Sequence, residues 1–104
     1  MNLCDEFTIR ALLERHGFHF SKSMGQNFLI DPEIPARIAA SSEADEHCGV
    51  LEIGPGIGPL TAELAQRAGK VVSVELDRSL LPILAETMAA HPNVEIVPGD
   101  VMRL

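Results

Sequence analysis

The N-terminal part of the chain carries one helical pattern, followed by a stretch without a period. Apolar residues recur at helical spacing and predict a helix from Asp5 to His16, with Asp5 as its N-cap and Gly17 as its stop. The side chains expected on its apolar face are Phe7, Ile9, Ala11, Leu12 and Leu13. Residues 18–30 show no clean period, so we expect a loop there.

A second helix is predicted to begin at Asp31-Pro32, where Asp can cap and Pro suits the first turn. Its expected buried stripe consists of Ile34, Ile38 and Ala39. Pro35 is expected to confine the regular part of the helix to the residues that follow it, because proline lacks the backbone donor. The polar, acidic residues 41–49 indicate a surface connection.

Further along, short apolar runs alternate with helical segments. The runs Val50–Ile53, Val71–Glu75 and Val94–Val97 predict three β-strands. One helix is expected to run to about Ala68, and another is expected to be capped by Asp77. The inward side chains of the latter are expected to be Leu80, Leu81, Leu84 and Met88. Helix-length connections make the strands parallel, so the sequence predicts an α/β fold whose three-stranded sheet is wound in one direction.

Three glycines at alternate positions, Gly54, Gly56 and Gly58, separate the first strand from its helix. Glycine reaches positive φ and has no Cβ, so a ligand can lie against this backbone. Glu75 ends the second strand, and Asp100 follows the third. Because ligands of parallel sheets bind outside the carboxyl ends of the strands, we expect these three stretches to form one crevice.

The carboxylates in these stretches suggest separate roles. Glu75 at a strand tip favours a bidentate contact with ribose hydroxyls. Asp100 could accept a hydrogen bond from an adenine exocyclic amine, or it could belong to a turn, since Gly-Asp is typical of turns. Glu52 lies inside the first strand and could bind a ligand's amino group through water or remain solvated at the edge. We favour a third role, in which it organises the glycine turn, because a buried acid needs a partner.

The glycine spacing departs from the dinucleotide pattern G-x-G-x-x-G, because Pro59 stands where the third glycine would be. The fit to a diphosphate is therefore weaker. A tight turn stiffened by Pro55 suits a nucleoside ligand without a diphosphate. S-adenosylmethionine is such a ligand, and its sulfonium cation is compatible with nearby acids.

Composition narrows the remaining classes of function and partner. The 104 residues are 46% hydrophobic with a formal net charge of −7, which indicates one folded domain and opposes polyanion binding by this chain alone. Cys4 and Cys48 lie far apart, and none of the four histidines has ligand spacing, so we expect free thiols in the cytoplasm and no metal site. No apolar run approaches transmembrane length, so no membrane partner is expected.

Four segments of the sequence carry a family resemblance. They are Gly25-Gln26-Asn27-Phe28-Leu29-Ile30-Asp31, Glu52-Ile53-Gly54-Pro55-Gly56-Ile57-Gly58-Pro59-Leu60-Thr61, Val74-Glu75-Leu76-Asp77 and Gly99-Asp100. In this order they resemble the ribosomal RNA adenine N6,N6-dimethyltransferase family, which includes the kasugamycin-resistance methyltransferases and the Erm enzymes. The glycine motif alone indicates a class I methyltransferase with a Rossmann-like fold. The Gly-Gln-Asn-Phe-Leu segment makes the resemblance specific.

The resemblance implies a cofactor, a reaction and site residues. Asn27 and Leu29 match residues that contact S-adenosylmethionine, and Gly54 matches the glycine that packs against the methionine portion. Glu75 matches the ribose-binding acid, and Asp100 matches the acid near the adenine. Gly56, in the same motif, joins the expected cofactor-binding set. The implied reaction is direct transfer of methyl groups to N6 of adenosines in small-subunit ribosomal RNA.

An Asn-x-Pro-Tyr motif, which in the family holds the target amine, does not occur in the sequence, so no catalytic residue is assigned. We expect the chain to be an N-terminal fragment that is inactive alone, with the C-terminal part absent. Residues 1–104 would form a partial S-adenosylmethionine-binding domain. Within it, residues 1–48 would supply the N-terminal helices and the Gly-Gln-Asn-Phe-Leu loop, and residues 49–104 a βαβαβ core. The first strand, Val50–Ile53, would lack its neighbour, so edge-strand self-association is expected.

Two other functional classes remain open. A NAD-type dehydrogenase fragment would share the glycine turn, although Pro59 and the Gly-Gln-Asn-Phe-Leu segment argue against it. A non-catalytic interaction domain would keep the fold and bind no cofactor. The intact residues Asn27, Gly54, Glu75 and Asp100 argue against that class.

Overall fold

The computed structural model describes residues 1–18 and 31–103. Within them, three strands form one parallel sheet: β1 (Gly49–Ile53), β2 (Lys70–Glu75) and β3 (Val94–Pro98). The strand order is β1-β2-β3, so β2 lies in the centre. The predicted α/β class and parallel sheet are confirmed, and each strand extends slightly beyond its predicted bounds.

Four helices accompany the sheet in the described residues. They are α1 (Glu6–Arg15), α2 (Glu33–Ser41), α3 (Pro59–Ala65) and α4 (Leu81–Thr87). A one-turn 3-10 segment, Arg78–Leu80, leads into α4, and another, Val101–Arg103, follows β3. Since α3 follows β1 and α4 follows β2, the two predicted helical crossovers are both confirmed.

The ends of α1 agree with the sequence, but part of its predicted face does not. The Asp5 side chain accepts a hydrogen bond from a first-turn N–H at 3.0 Å, and Gly17 has a φ of +84° just beyond the helix. The buried side chains are Ile9, Leu12 and Leu13. Phe7 is 79% exposed and Ala11 is also exposed, so their predicted burial is wrong. Each lies two positions, about 200°, from Ile9 around the helix, so they point away from the core that Ile9 contacts.

The buried face of α2 is also different from the prediction. Pro35 and Ala39 are buried, whereas Ile34 and Ile38 are 44% and 48% exposed. Among the described elements the principal neighbour of α2 is a single helix, α3, which agrees with the narrow buried stripe. Pro35 does not delay the helix, since first-turn N–H groups have no helical partner in any case. The N-cap position is Pro32, one residue after the predicted Asp31, but the Asp31 side chain still supports the helix start by accepting the Glu33 N–H at 3.0 Å.

The helices after β1 and β2 are shorter than expected. Helix α3 ends at Ala65 instead of about Ala68, and the following residues form a turn. Ile83, which was not predicted, is fully buried, whereas Leu81 is only half-buried. Ile83 lies at α-helical spacing from Leu80 and belongs to the same buried face, whereas Leu81 is turned about 100° away from Leu80. The predicted burial is confirmed for Leu80, Leu84 and Met88.

The described helices pack on one face of the sheet, as predicted for a sheet wound in one direction. Val71 and Ile96 lie on that face and contact the two buried clusters that the helices form. Leu51 and Ile53 point to the opposite face and are 62% and 63% exposed. Within the described residues β1 is an edge strand, so the predicted open edge is confirmed.

Candidate functional site

The turn between β1 and α3 presents bare backbone at the carboxyl end of the sheet. Gly54 and Gly56 have φ values of +72° and +64°, a region that other residues rarely adopt. A Cβ on either glycine would meet no heavy atom within 4 Å. The Gly54 N–H donates to the Val74 carbonyl at 2.9 Å and joins the turn to β2. The turn therefore offers a fixed and open backbone surface to a ligand.

Gly58 is required for a different reason. It has a φ of +102° and immediately precedes α3. A Cβ here would lie 2.7 Å from Met88 Cε and 3.4 Å from Thr87 Oγ1. The end of α4 thus packs directly against the Gly58 backbone. The sequence grouped the three glycines as one ligand surface, whereas the structure shows that the third is a packing position.

Glu75 connects two backbone segments at the tip of β2. Its side chain is buried, at 6% exposure, and lies beside the glycine turn. One carboxylate oxygen accepts the Gly56 N–H at 3.2 Å, and the other accepts the Asp77 N–H at 3.0 Å. A carboxylate has about four lone-pair positions, so two acceptor positions remain for a ligand. Sequence reasoning identified this acid but did not predict its hydrogen bond with the glycine turn.

Asp100 forms part of a turn at the end of β3. Its Oδ1 accepts the Met102 N–H at 2.9 Å, so the alternative that it acts as a turn residue is confirmed. The preceding Gly99 donates its N–H to the Glu75 carbonyl at 2.9 Å. This bond extends the β2–β3 pairing and brings Asp100 to the same edge of the sheet as Glu75. A contact with adenine remains a prediction for this residue.

A cavity of about 140 Å³ lies where these segments meet. Its lining residues are Ile53, Gly54, Val74, Glu75, Leu76, Gly99, Asp100 and Val101. A larger cavity of about 260 Å³ lies among the N-terminal residues, α2 and α3, and none of the candidate residues lines it. We therefore assign the candidate site to the smaller cavity, which has the location expected for ligands of parallel sheets. Three of the predicted residues, Gly54, Glu75 and Asp100, line it, and Gly56 adjoins it through Glu75.

Glu52 organises the start of α3 from inside the sheet. It is 9% exposed, and one oxygen accepts hydrogen bonds from the Thr61 hydroxyl and, at 2.8 Å, from the Ser73 hydroxyl. Both hydroxyl residues are fully buried. The expectation that this acid is buried and partnered is confirmed, and the solvated alternative is wrong. Its partners lie in α3 and β2, so the predicted role in organising the glycine turn is not shown by a direct contact. Sequence reasoning did not identify Thr61 or Ser73. The signal that could have found them is that α3 and β2, the elements next to β1, each carry a small hydroxyl residue.

Acidic groups surround the carboxyl ends of the strands. Besides Glu75 and Asp100, Asp77 follows β2, and hydrogen bonds from the Ser79 hydroxyl and backbone hold the pKa of Asp77 below its usual value. The Arg103 guanidinium lies 4.0 Å from the Asp100 carboxylate and is highly exposed. This charge distribution favours a cationic or neutral ligand over a polyphosphate.

The remaining sequence predictions concern other residues and features of the chain. Asn27 and Leu29 lie outside the described residues, so their predicted contacts stay predictions. Among residues 1–18 and 31–103, no group of histidine, cysteine, aspartate and glutamate side chains could hold a metal ion. The helices of the same residues include none that is long and apolar enough to cross a membrane.

Comparison with known protein families adds independent information. The family model described as "Ribosomal RNA adenine dimethylase" matches residues 17–104. A protein from Shouchella clausii named "Ribosomal RNA small subunit methyltransferase A" is 53% identical over 93 residues, which cover 89% of this chain and 31% of the relative. The chain spans about a third of the length of the curated relatives it matches.

Solved structures share the same architecture. The 23S rRNA methyltransferase ErmE is 44% identical with a TM-score of 0.68, and the match covers 72% of this chain and 31% of that one. An RNA methyltransferase from Salinibacter ruber, solved with S-adenosyl-L-homocysteine, has a TM-score of 0.65 at 20% identity, with 72% and 52% coverage. The second similarity concerns the fold alone.

Proposed function

Because the chain belongs to the ribosomal RNA adenine dimethylase family, we propose that it forms the S-adenosylmethionine-binding part of an enzyme that dimethylates N6 of adenosines in small-subunit ribosomal RNA. The observation that carries the proposal is the meeting of Gly54, Glu75 and Asp100 around one cavity at the carboxyl ends of three parallel strands. The names of the curated relatives support the choice of the small subunit.

The site has features that suit this cofactor. The open backbone at Gly54 and Gly56 would accommodate the methionine portion. Glu75 retains acceptor positions for the ribose hydroxyls, and the Asp100 carboxylate would accept from the adenine amine. Asn27 and Leu29 are proposed as further contacts on the strength of the family motif. S-adenosylmethionine supplies an activated methyl group, and the surrounding acids are compatible with its cationic sulfonium.

The protein's own contribution to methyl transfer is then positioning. Fixed backbone and the buried Glu75 carboxylate would hold the cofactor in one orientation without cost at the moment of reaction. Direct displacement by an adenine amine needs little general-base chemistry, which agrees with the absence of a nucleophile–base pair from the site residues described above. We assign cofactor binding to this chain and not the RNA contacts, because a net charge of −7 opposes a polyanion.

Ribosomal RNA is therefore the proposed partner of the complete enzyme, and the cytoplasm is its proposed location. A second partner is proposed for this chain as it stands. β1 is an edge strand that carries exposed Leu51 and Ile53, so a second copy could pair with it. A concentration-dependent mass in light scattering, abolished by Leu51→Lys, would agree with that proposal. A monodisperse monomer at high concentration would contradict it.

Calorimetric titration with S-adenosylmethionine tests the proposed function. We expect saturable binding by the 104-residue chain and its loss in Glu75→Ala. Glu95→Ala is the matched control, because Glu95 is an exposed strand acid paired with Lys70 and lies outside the cavity lining. No binding by a chain whose circular dichroism shows a folded protein would contradict the proposal and favour an interaction domain. NADH serves as a second titrant, since the family match gives no support to a dehydrogenase.

A further inference from the structure

An ionic contact joins two helices that are distant in the sequence. Glu86 near the end of α4 accepts a hydrogen bond from the Arg15 guanidinium and shares one of 2.9 Å with His16 Nε2, at the end of α1. The hydrogen bonds from Arg15 and then His16 lower the pKa of Glu86, and the bond with Glu86 raises the pKa of Arg15. Glu86 is therefore charged at neutral pH and fixed from two sides.

The same turn of α4 supports the glycine turn. Thr87 and Met88 follow Glu86 directly, and they are the residues against which Gly58 packs. Gly58 in turn donates its N–H to the Pro55 carbonyl at 3.0 Å and so closes the glycine turn. A displacement at the end of α4 would therefore reach the backbone between Gly54 and Gly58.

We propose that Glu86 is a positioning residue for the cofactor-binding turn. By holding the end of α4 against α1, it keeps Thr87 and Met88 packed against Gly58. The proposal rests on the proposed function for its consequence in binding. Glu86 does not line the cavity, so it acts through the packing and not by contact with the ligand.

The rest of α4 is secured independently of Glu86. Ile83 and Leu84 are fully buried in the core, and Leu80 is buried at the preceding turn. Met88 is also buried in that core, so loss of the ionic contact should leave the helix folded and shift only the position of its end. This separation allows a positioning effect to be distinguished from general destabilisation.

The test compares Glu86→Gln with Glu14→Gln, which removes the same charge from an exposed position on α1. Calorimetry with S-adenosylmethionine is performed at a temperature where melting curves show both variants folded. We expect the Kd of Glu86→Gln to rise about 3- to 10-fold and that of Glu14→Gln to stay within about twofold of the original protein. The charge reversal Arg15→Glu with Glu86→Arg should recover most of the affinity.

A second measurement requires no cofactor. The amide NMR shifts of Gly56 and Gly58 should move in Glu86→Gln and remain in place in Glu14→Gln. Unmoved glycine amides, or an unchanged Kd with a lowered melting temperature, would overturn the proposal. If the folded original protein does not bind S-adenosylmethionine, the proposed function fails, and the amide shifts still decide whether Glu86 positions the turn. Should Glu86→Gln not fold, Arg15→Gln removes the ion pair from the other helix and leaves only the His16 contact with Glu86.

Discussion

Two glycines of the same turn should respond differently to the same substitution. Gly56→Ala and Gly58→Ala each add one methyl group at a positive φ, at +64° and +102°. At Gly56 that methyl enters open space, and at Gly58 it meets Met88 Cε at 2.7 Å. We therefore expect Gly56→Ala chiefly to weaken ligand binding and Gly58→Ala chiefly to destabilise the fold.

The magnitudes follow from these contacts. Positive φ costs a non-glycine residue about 1–2 kcal/mol, which applies to both variants. Overpacking adds about 1–3 kcal/mol at Gly58 alone, and the lower part of that range applies because Met88 Cε is the end of a flexible side chain. Gly58→Ala should therefore lose roughly 2–4 kcal/mol of unfolding free energy, against about 1–2 kcal/mol for Gly56→Ala.

Urea unfolding of both variants measures the difference, and calorimetry with S-adenosylmethionine measures binding. Adding Met88→Ala to Gly58→Ala should relieve the steric part of the loss and leave the cost of positive φ, so the two substitutions should not be additive. Equal destabilisation at the two glycines would refute this reasoning. So would strict additivity of Gly58→Ala and Met88→Ala.

Three further predictions concern the stability of the fold. Glu52→Ala leaves two buried hydroxyl groups without their acceptor and should lower the unfolding free energy by about 2–4 kcal/mol, measured in urea; a loss below about 1 kcal/mol would contradict the organising role. The lowered pKa of Glu86 means that its contact stabilises the fold above the usual carboxyl pKa of about 4.3 and is lost as the pH falls through the lowered value. The stability difference between the original protein and Glu86→Gln should therefore shrink between neutral and acidic pH, and a constant difference would count against the contact. Gly69→Ala would place a Cβ against the Glu46 carbonyl oxygen and should cost about 2–3 kcal/mol, whereas Gly49→Ala, with nothing nearby, should be almost neutral.

Local signals in the sequence were sufficient to predict the strands, the helices and much of the candidate site. β-branched runs identified the three strands, and an acid before each of two helical segments identified Asp5 and Asp77 as caps. Parallel pairing then places every strand end at one edge, so Glu75 and Asp100 could be brought together without coordinates. Asn27 and Leu29 were proposed from motif similarity and remain to be tested.

The buried faces of the helices could not all be predicted from local sequence signals. Which side chains of α2 are buried depends on how many elements pack against it, and the apolar character of Ile34 and Ile38 does not show that. Ile83 differs, because it lies at helical spacing from the predicted Leu80 and the apolar period of the sequence could have identified it. Tertiary contacts also determine the partners of a buried acid, so the sequence could mark Glu52 as needing donors without identifying them.

The central position of β2 has a consequence for how the site opens. The Gly54 and Gly99 amides each donate to a carbonyl near the end of β2, so both flanks of the cavity are attached to the same strand. Local fluctuations that release an edge strand would free one flank while β2 and Glu75 stay in place. Hydrogen exchange at these two amides would therefore report two separate opening reactions, and a ligand that bridges both flanks would merge them into one slower process.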